Sequence, residues 1–576
     1  MCIRDSLLTD SSYSTGETFP ITVSIANENL PTATNTVTFK PNTSVTSIIT
    51  GNTAQWVFGL NGSDYITFDG SNTIGGTTRD LSIVNTYTGG TFNIVVALFH
   101  NGTKGATNNT VKNCIIKGSP TPTNSYGLFL NAGGGGFNNT SFINNKIQNS
   151  KTAIQFSGIL GNTSNNGLIS GNIIGDVTEP LKVGGVLSAN TDNLVITNNE
   201  IFGEAAGNSS TSQYGILLST GTTNAKVRKN LIHDFYYTGT GGFGCFGIRF
   251  GSDATTVTEI SNNFISNIKS DGDATGLTYT PSGIYIATGG NINMFFNSVY
   301  MTGNTLGRGT LYNGRSSCVS VATGVTQLDI RNNAFQNSMG SYPGSTMANL
   351  TYGVYSESAN TAYTDINYND YFVNGVSPYV GYLGADQVDL AAWKIATAKD
   401  LNSVSGSTAF SSENDLHVPN GSLTVLESAG TPIAGITTDI DGQTRNVTKP
   451  DIGADEFNGI NSTTALSGNY YVGVAGSGPG GSDPQFATLK EACDTLNTFN
   501  VSGNTTFYIT SNLVEPTNSS IGIDPGAFTV TFKPYTGTVD TITFTQVADN
   551  VGVSGGLVLG TPVSYTHLTL PTSDLV

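Results

Sequence analysis

A six-residue window of the form apolar-x-x-Asn-x-apolar recurs along this chain. It appears as FINNKI at 142, ISGNII at 169, ITNNEI at 196, VRKNLI at 227, ISNNFI at 260, MFFNSV at 294, IRNNAF at 330 and INYNDY at 366, with TVKNCI at 110 as a weaker first member. The shared asparagines are Asn113, Asn145, Asn172, Asn199, Asn230, Asn263, Asn297, Asn333 and Asn369, and successive spacings are 32, 27, 27, 31, 33, 34, 36 and 36 residues. A repeat of this length cannot bury its apolar residues alone and must stack on its neighbours.

Between the windows lies a second short strand, usually opened by a pair such as Tyr-Gly or Phe-Gly: YGLFL (126), AIQFS (153), GGVLS (184), YGILL (214), FGIRF (246), SGIYI (282), CVSVA (318) and YGVYS (352). The alternation has a period of two, and helical periodicity is absent there. The expected fold is all-β, a right-handed parallel β-helix with inward Ile, Val and Phe stacked in columns. Asn is expected at the bends because it tolerates the left-handed backbone region better than other non-glycine residues. Its amide can also bond to the equivalent Asn one coil away, about 4.8 Å along the axis, so the nine asparagines are expected to form a ladder.

The drift in period has a location. From an opening Gly to the next Asn (127 to 145, 185 to 199, 215 to 230, 247 to 263, 283 to 297, 353 to 369) the count stays between 14 and 18, whereas from Asn to the next opening Gly it reaches 20. The extra residues enter on one flank, in FGEAAGNSSTSQ (202), HDFYYTGTGGFGC (233) and SNIKSDGDATGLTYTP (266). Insertions at one corner of a solenoid stack into a lateral wall that commonly binds ligand.

A formal net charge of −17 with only 23 Lys and Arg argues against nucleic acid or an anionic membrane surface as partner. No run of about twenty apolar residues exists to span a bilayer. The cysteines at 2, 114, 245, 318 and 493 lack the paired spacings of metal sites or disulfide frameworks and read as small buried hydrophobes. Low charge with abundant Asn, Thr and Gly fits an exported surface protein.

The termini look foreign: MCIRDS and SYTHLTLPTSDLV resemble translated adapter sequence at the edges of metagenomic reads. The expected organisation is therefore 1–6 adapter, 7–110 opening coils, 111–384 parallel β-helix repeats, 385–457 a C-terminal cap, 458–468 a linker, 469–563 the start of a second module and 564–576 adapter. In the cap, DQVDLAAWKIATAKDLNS (386) has helix-like spacing. The second module rests on the recurrence of TVTFKP at 36–41 and 529–534 and on an amphipathic helix with Phe486, Leu489, Ala492, Cys493 and Leu496.

The Asn windows resemble the parallel β-helix repeat of the pectin-lyase-like superfamily. The segments LAAWKIATAKDLNSVSG, NDLHV, TDIDGQTRNVTKPDIGADEF and FATLKEACDTLN resemble large secreted modular proteins of Bacteroidetes-type bacteria, the DIGADEF end (451–457) being the more specific part. The resemblance implies an extracellular or cell-surface protein exported by the type IX route, and it implies no activity, because the superfamily holds enzymes and adhesins alike.

The enzyme alternative is a polysaccharide lyase or glycoside hydrolase, which needs converging carboxylates or an acid and a base. The sequence holds no Asp-Asp pair, no Gly-His-Gly and no Arg-x-Lys of the polygalacturonase-like members, and Arg249 is an outward strand residue without marked partners. His233-Asp234 is the only local His-carboxylate pair, and neighbours on a strand are expected to point apart. No catalytic residue, cofactor or metal ligand is therefore assigned. Calcium is a weak option at Asp271 and Asp273 or at Asp439 and Asp441, where two carboxylates fall short of the six or more oxygens required. Asp451, Asp455 and Glu456 are expected to cap backbone amides. The aromatic residues Tyr236, Tyr237, Phe243 and Tyr279, rimmed by Asp271 and Asp273, form the candidate ligand face, suited to sugar rings or a surface protein; otherwise they pack on the solenoid side. The expectation is a structural or adhesive module, monomeric within a larger chain.

Overall fold

The computed structural model describes residues 4–24, 31–131, 133–205, 211–239, 241–252, 256–272, 275–306, 314–343, 345, 349–462, 466–499, 501–515, 519–521, 528–535, 541–544 and 557–559. The chain winds into a parallel β-solenoid with three faces. Sheet A contains 12 strands from Arg4–Leu8 to Tyr363–Asn367, sheet B contains 12 from Ser12–Tyr13 to Asp370–Val373, and sheet C contains 13 from Ile21–Val23 onward. Residues 4–6, expected to lie outside the fold, pair in register with the strand at Val37–Pro41. The 564–576 end lies outside the described residues.

On sheets A and B the successive coils place inward residues in continuous columns. On sheet A these are Val111, Phe142, Ile169, Ile196, Val227, Ile260, Met294, Ile330 and Ile366, each in register with the next and fully buried. On sheet B, Ile116, Ile147, Ile174, Ile201, Ile232, Ile265, Val299, Phe335 and Tyr371 do the same. Burying one such side chain stabilises by about 1.5–3 kcal/mol, so the columns supply the main driving force for winding. They also explain the strand-opening glycines of sheet C. A Cβ at Gly185, Gly215 or Gly247 would sit 2.4 Å from the Cγ2 of Ile201, Ile232 or Ile265, because the sheet B column already fills that space.

The A-to-B corner is the tight one. Its buried amides hydrogen bond in one file: Asn145 Nδ2 donates to Asn172 Oδ1 (3.0 Å), and the pattern continues through Asn199, Asn230, Asn263, Asn297, Asn333 and Asn369 at 2.9–3.0 Å. Each Oδ1 also accepts the backbone N–H of the preceding rung, as Asn172 Oδ1 does from Asn145 N (2.8 Å). The left-handed backbone, however, belongs to the residue before the ladder. Asn144, Gly171, Asn198, Lys229, Asn262, Phe296, Asn332 and Tyr368 carry φ between 52° and 66°, while the ladder asparagines do not. Asn113 is the exception among the nine: its φ is 57°, it sits in the outer file accepting from Asn144 Nδ2 (2.7 Å), and Cys114 takes its place below Asn145. The corner asparagines that bend and those that stack are thus different residues.

The end of the solenoid is closed by a short helix, α1 (Leu390–Thr397). Its Trp393 lies fully buried against Tyr371 at the top of the sheet B column. Asp400 ties the closure together, its carboxylate accepting from Tyr371 Oη (2.5 Å), Trp393 Nε1 (2.7 Å) and Ser403 Oγ, while Ser403 Oγ accepts the backbone N–H of the last rung, Asn369 (2.7 Å). An antiparallel strand, Asp386–Gln387, covers the edge of sheet C.

Residues 404–457, expected to belong to the cap, leave the end and run back over the outside of sheet B. Thr408 O accepts from Gln336 Nε2 (3.2 Å), Phe410 packs on Tyr300, and Asn414 Nδ2 donates to Asp234 Oδ2 (2.7 Å). The segment then returns across the A-to-B corner, where Arg445 Nη2 donates to Asn262 Oδ1 (2.8 Å) with its guanidinium 4.0 Å from the Phe296 ring, and Asn332 exchanges two bonds with Thr431. The supposed linker is structured too: Ile460–Asn461 pairs with Leu423–Thr424.

A second parallel three-sheet unit starts at Leu466, with a core of its own built around the amphipathic helix α2 (Leu489–Phe499). The recurring TVTFKP forms a strand in both units, Val37–Pro41 second in sheet A and Val530–Pro534 third in its sheet.

Candidate functional site

The insertions enter between sheets B and C, as the drifting counts require: strands end at 205, 237, 269, 301 and 337 and resume at 213, 245, 282, 314 and 349. Of the aromatic residues expected to face ligand there, Tyr237 is only 2% exposed and Phe243 packs edge-on against it at 5.7 Å, both joined to the main core. Their apolar rings fill the space that the longer loop opens beside the column. Tyr236 is half-buried, with Lys269 Nζ 5.2 Å over its ring and its hydroxyl donating to Asp234 Oδ1 (2.7 Å). Asp271 is buried at 6% exposure, and Asp273 lies outside the described residues. Tyr279 is the one that stays outside, 37% exposed at the end of a single 3-10 turn, Leu277–Tyr279.

That turn is anchored on the outer surface of sheet C, where Leu277 packs on Phe246 and Tyr285. Two arginines complete the patch. The Arg249 guanidinium lies 5.6 Å from the Phe246 ring and 5.7 Å from that of Tyr285, and its buried Nε has no hydrogen-bond partner among the described residues. Arg315 donates from Nε to Thr280 Oγ1 (3.1 Å) and lies 4.1 Å over Tyr355, its buried Nη2 likewise without a partner among the described residues. Tyr355 in turn stacks on Tyr382 at 4.5 Å. Arg249, an outward residue without marked partners in sequence, therefore finds them in Tyr285, its register partner on the neighbouring strand, and in Phe246, three residues earlier, which strict alternation would have put on the opposite face.

His233 and Asp234 do not point apart. Asp234 has φ 56° and is an extra residue in its strand, His233 pairing with Phe202 and Phe235 with Gly203, so a β-bulge turns both side chains to one side. His233 Nδ1 meets Asp234 Oδ2 at 2.8 Å, its Nε2 lies 3.5 Å from Glu200 Oε1, and Phe202 stacks on the ring at 5.1 Å. Burial works against charge on both groups. The paired carboxylates outweigh it for His233, whose pKa is raised; the bonds from His233, Tyr236 and Asn267 outweigh it for Asp234, which is held at about 2. With both ring nitrogens engaged by carboxylates and Asn414 laid over the pair, this is an ionic lock rather than an open acid-base site.

A second histidine site was not expected from sequence. His417, Asp441 and Asp455 offer ligand atoms all within 4.8 Å of one another. They come from NDLHV and from the two ends of TDIDGQTRNVTKPDIGADEF, stretches that are each bland by themselves. Elsewhere in these segments the acids hold backbone amides, as expected for a cap: Asp439 takes those of Asp441, Gln443 and Glu456, and Asp451 those of Ser428 and Phe457.

No protein-family model matches the chain, and no curated protein does. Among solved structures it is similar to the periplasmic alginate epimerase AlgG (10% identity, TM-score 0.32, 70% of this chain and 83% of that one) and to the Dettilon tailspike protein (14%, 0.29, 62% of each). A tailspike of E. coli bacteriophage HK620 in complex with a pentasaccharide is more distant (10%, 0.19, 88% and 71%). These likenesses are too low to carry an argument about activity; the parallel solenoid stands on its own strand register. Among the described residues no helix is long and apolar enough to cross a membrane.

Proposed function

We propose that this chain is an extracellular or cell-surface β-solenoid module with a structural and adhesive role, holding an acidic carbohydrate against the outer surface of sheet C beneath the long-loop flank. The observation that supports this is the arginine-aromatic patch: the half-buried Arg249 lies over Phe246 and Tyr285, Arg315 adds positive charge buried against Tyr355, and Tyr279 is exposed at the rim. Guanidinium groups bind carboxylates in a fork, and ring faces and edges accept the C–H surfaces of sugars. A module built for display also needs stiffness, which the eight-rung amide ladder and the closed end contribute.

The test is a glycan array probed with the full chain, paired with reducing-end and unsaturated-product assays on any polysaccharide bound. Binding to uronate-containing glycans that falls at least tenfold in Arg249→Ala, without product, is expected. Release of product would replace the adhesive reading by a lyase or hydrolase. Binding unchanged in Arg249→Ala would remove the patch as its site.

A further inference from the structure

The cluster of His417, Asp441 and Asp455 lies where three separate stretches of the returning segment cross. His417 is half-buried, packed edge-on against Phe264 of sheet B (4.8 Å), and its Nε2 lies 2.7 Å from Asp441 Oδ2 while Nδ1 is held by Asp415. Orienting one imidazole nitrogen with a carboxylate leaves the other directed at the cluster, an arrangement common behind metal-ligating histidines. Asp455 is 5% exposed and accepts a hydrogen bond from Val418 N–H at Oδ2 (2.8 Å). It lies in a site with Asp439 fully buried nearby and Asp441 at the rim. Three carboxylates, those of Asp439, Asp441 and Asp455, thus crowd beside one imidazole, and a buried carboxylate is costly unless its charge is compensated.

A cation of higher charge than a proton would relieve this crowding. The donor set is one imidazole nitrogen and two carboxylates, with room for water on the exposed Asp441 side. Calcium selects oxygen donors, whereas imidazole with carboxylates suits zinc and its divalent neighbours. We propose that His417, Asp441 and Asp455 form a site for one divalent transition-metal ion, which fastens residues 404–457 to the side of the solenoid. The ion joins three chain stretches, 415–418, 439–441 and 451–456, which also meet through the His417–Asp441 contact, the bond from Ile440 N–H to Ala454 O (2.9 Å) and side-chain-to-backbone bonds.

The test uses the full chain stripped with chelator and titrated with Co²⁺ and Zn²⁺. One equivalent per chain, a visible d–d band with Co²⁺, and slower proteolytic nicking within 404–457 after loading are expected. Asp441→Asn, at an exposed position compatible with folding, and His417→Gln should each weaken Co²⁺ binding at least tenfold, while His100→Gln leaves it unchanged. Absence of saturable Co²⁺ or Zn²⁺ binding below millimolar, or binding indifferent to both variants, overturns the proposal and leaves an ion-pair network. Preference for Ca²⁺ unaffected by His417→Gln overturns it as well.

Discussion

The two sides of the tight A-to-B corner use similar residues to opposite ends. On the inside, eight asparagines from Asn145 to Asn369 are almost fully buried, and each binds the next. One residue earlier, on the outside, the bend is made by Asn, Gly, Lys, Phe or Tyr, all at positive φ. The inner file demands one side chain, because an amide of this length donates from Nδ2 to the next rung and to a strand carbonyl while its Oδ1 accepts the backbone N–H and the amide of the last. The outer file demands only a tolerated backbone, so its side chains are free for other work: Lys229, Asn262, Phe296 and Asn332 dock the returning segment, while Asn198 is left exposed. Identity is fixed where a group must be satisfied in the dark, and variable where geometry alone is required.

The largest effect that would break this distinction is expected inside. Asn263→Ala strips the partner from Asn230 N–H, Asn230 Nδ2 and Val227 O at once, and should cost on the order of 4 kcal/mol, read by urea unfolding with hydrogen exchange localised to the neighbouring coils. A loss below about 1 kcal/mol would mean that the ladder is ornamental. On the docked part of the outer file, Arg445→Met leaves Glu456 and Gly453 O without their buried partner, at about 3 kcal/mol. Its effect should be confined to the returning segment, seen as proteolysis within 404–457 with the solenoid intact.

A smaller, pH-dependent term belongs to the same covered surface. His233 has a raised pKa in the folded protein, so its stabilising ion pair is fully present below the ordinary histidine value of about 6.5 and is lost as pH rises through the folded value. Thermal melts should show this decline in the wild type and a flatter profile in His233→Gln; parallel profiles would exclude the lock. The smallest effect is expected at the undocked bend, where Asn198→Gly should change stability by less than about 0.5 kcal/mol in the same unfolding measurement. A large loss there would mean that the outer side chain matters after all.

What was legible in the sequence follows from the same distinction. The inward columns, the strand-opening glycines and the flank of insertion are local and periodic, so apolar spacing and residue counts reveal them. Asn113 was misplaced because TVKNCI aligns by its Asn only if Thr110 is given the apolar position. The register instead sets Val111 against Phe142, which moves Asn113 to the outer file. A single inserted residue likewise inverted the relation of His233 to Asp234, and alternation cannot foresee a bulge. Tyr237 and Phe243 look the same in sequence whether they face water or fill a gap under a loop. The contacts of His417 with Asp441 and of Arg445 with Asn262 span 24 and 183 residues and leave no periodic trace.

The reversed strand at Asp386–Gln387 sets how such a protein can grow. A parallel coil cannot be laid onto a partner that runs the other way, so the rod is stopped in the direction that would otherwise recruit a further turn or another molecule. Reach is then gained by a separately wound unit, such as the one that starts at Leu466 with α2 in its core, and the sequence of the final turn decides where the first one stops.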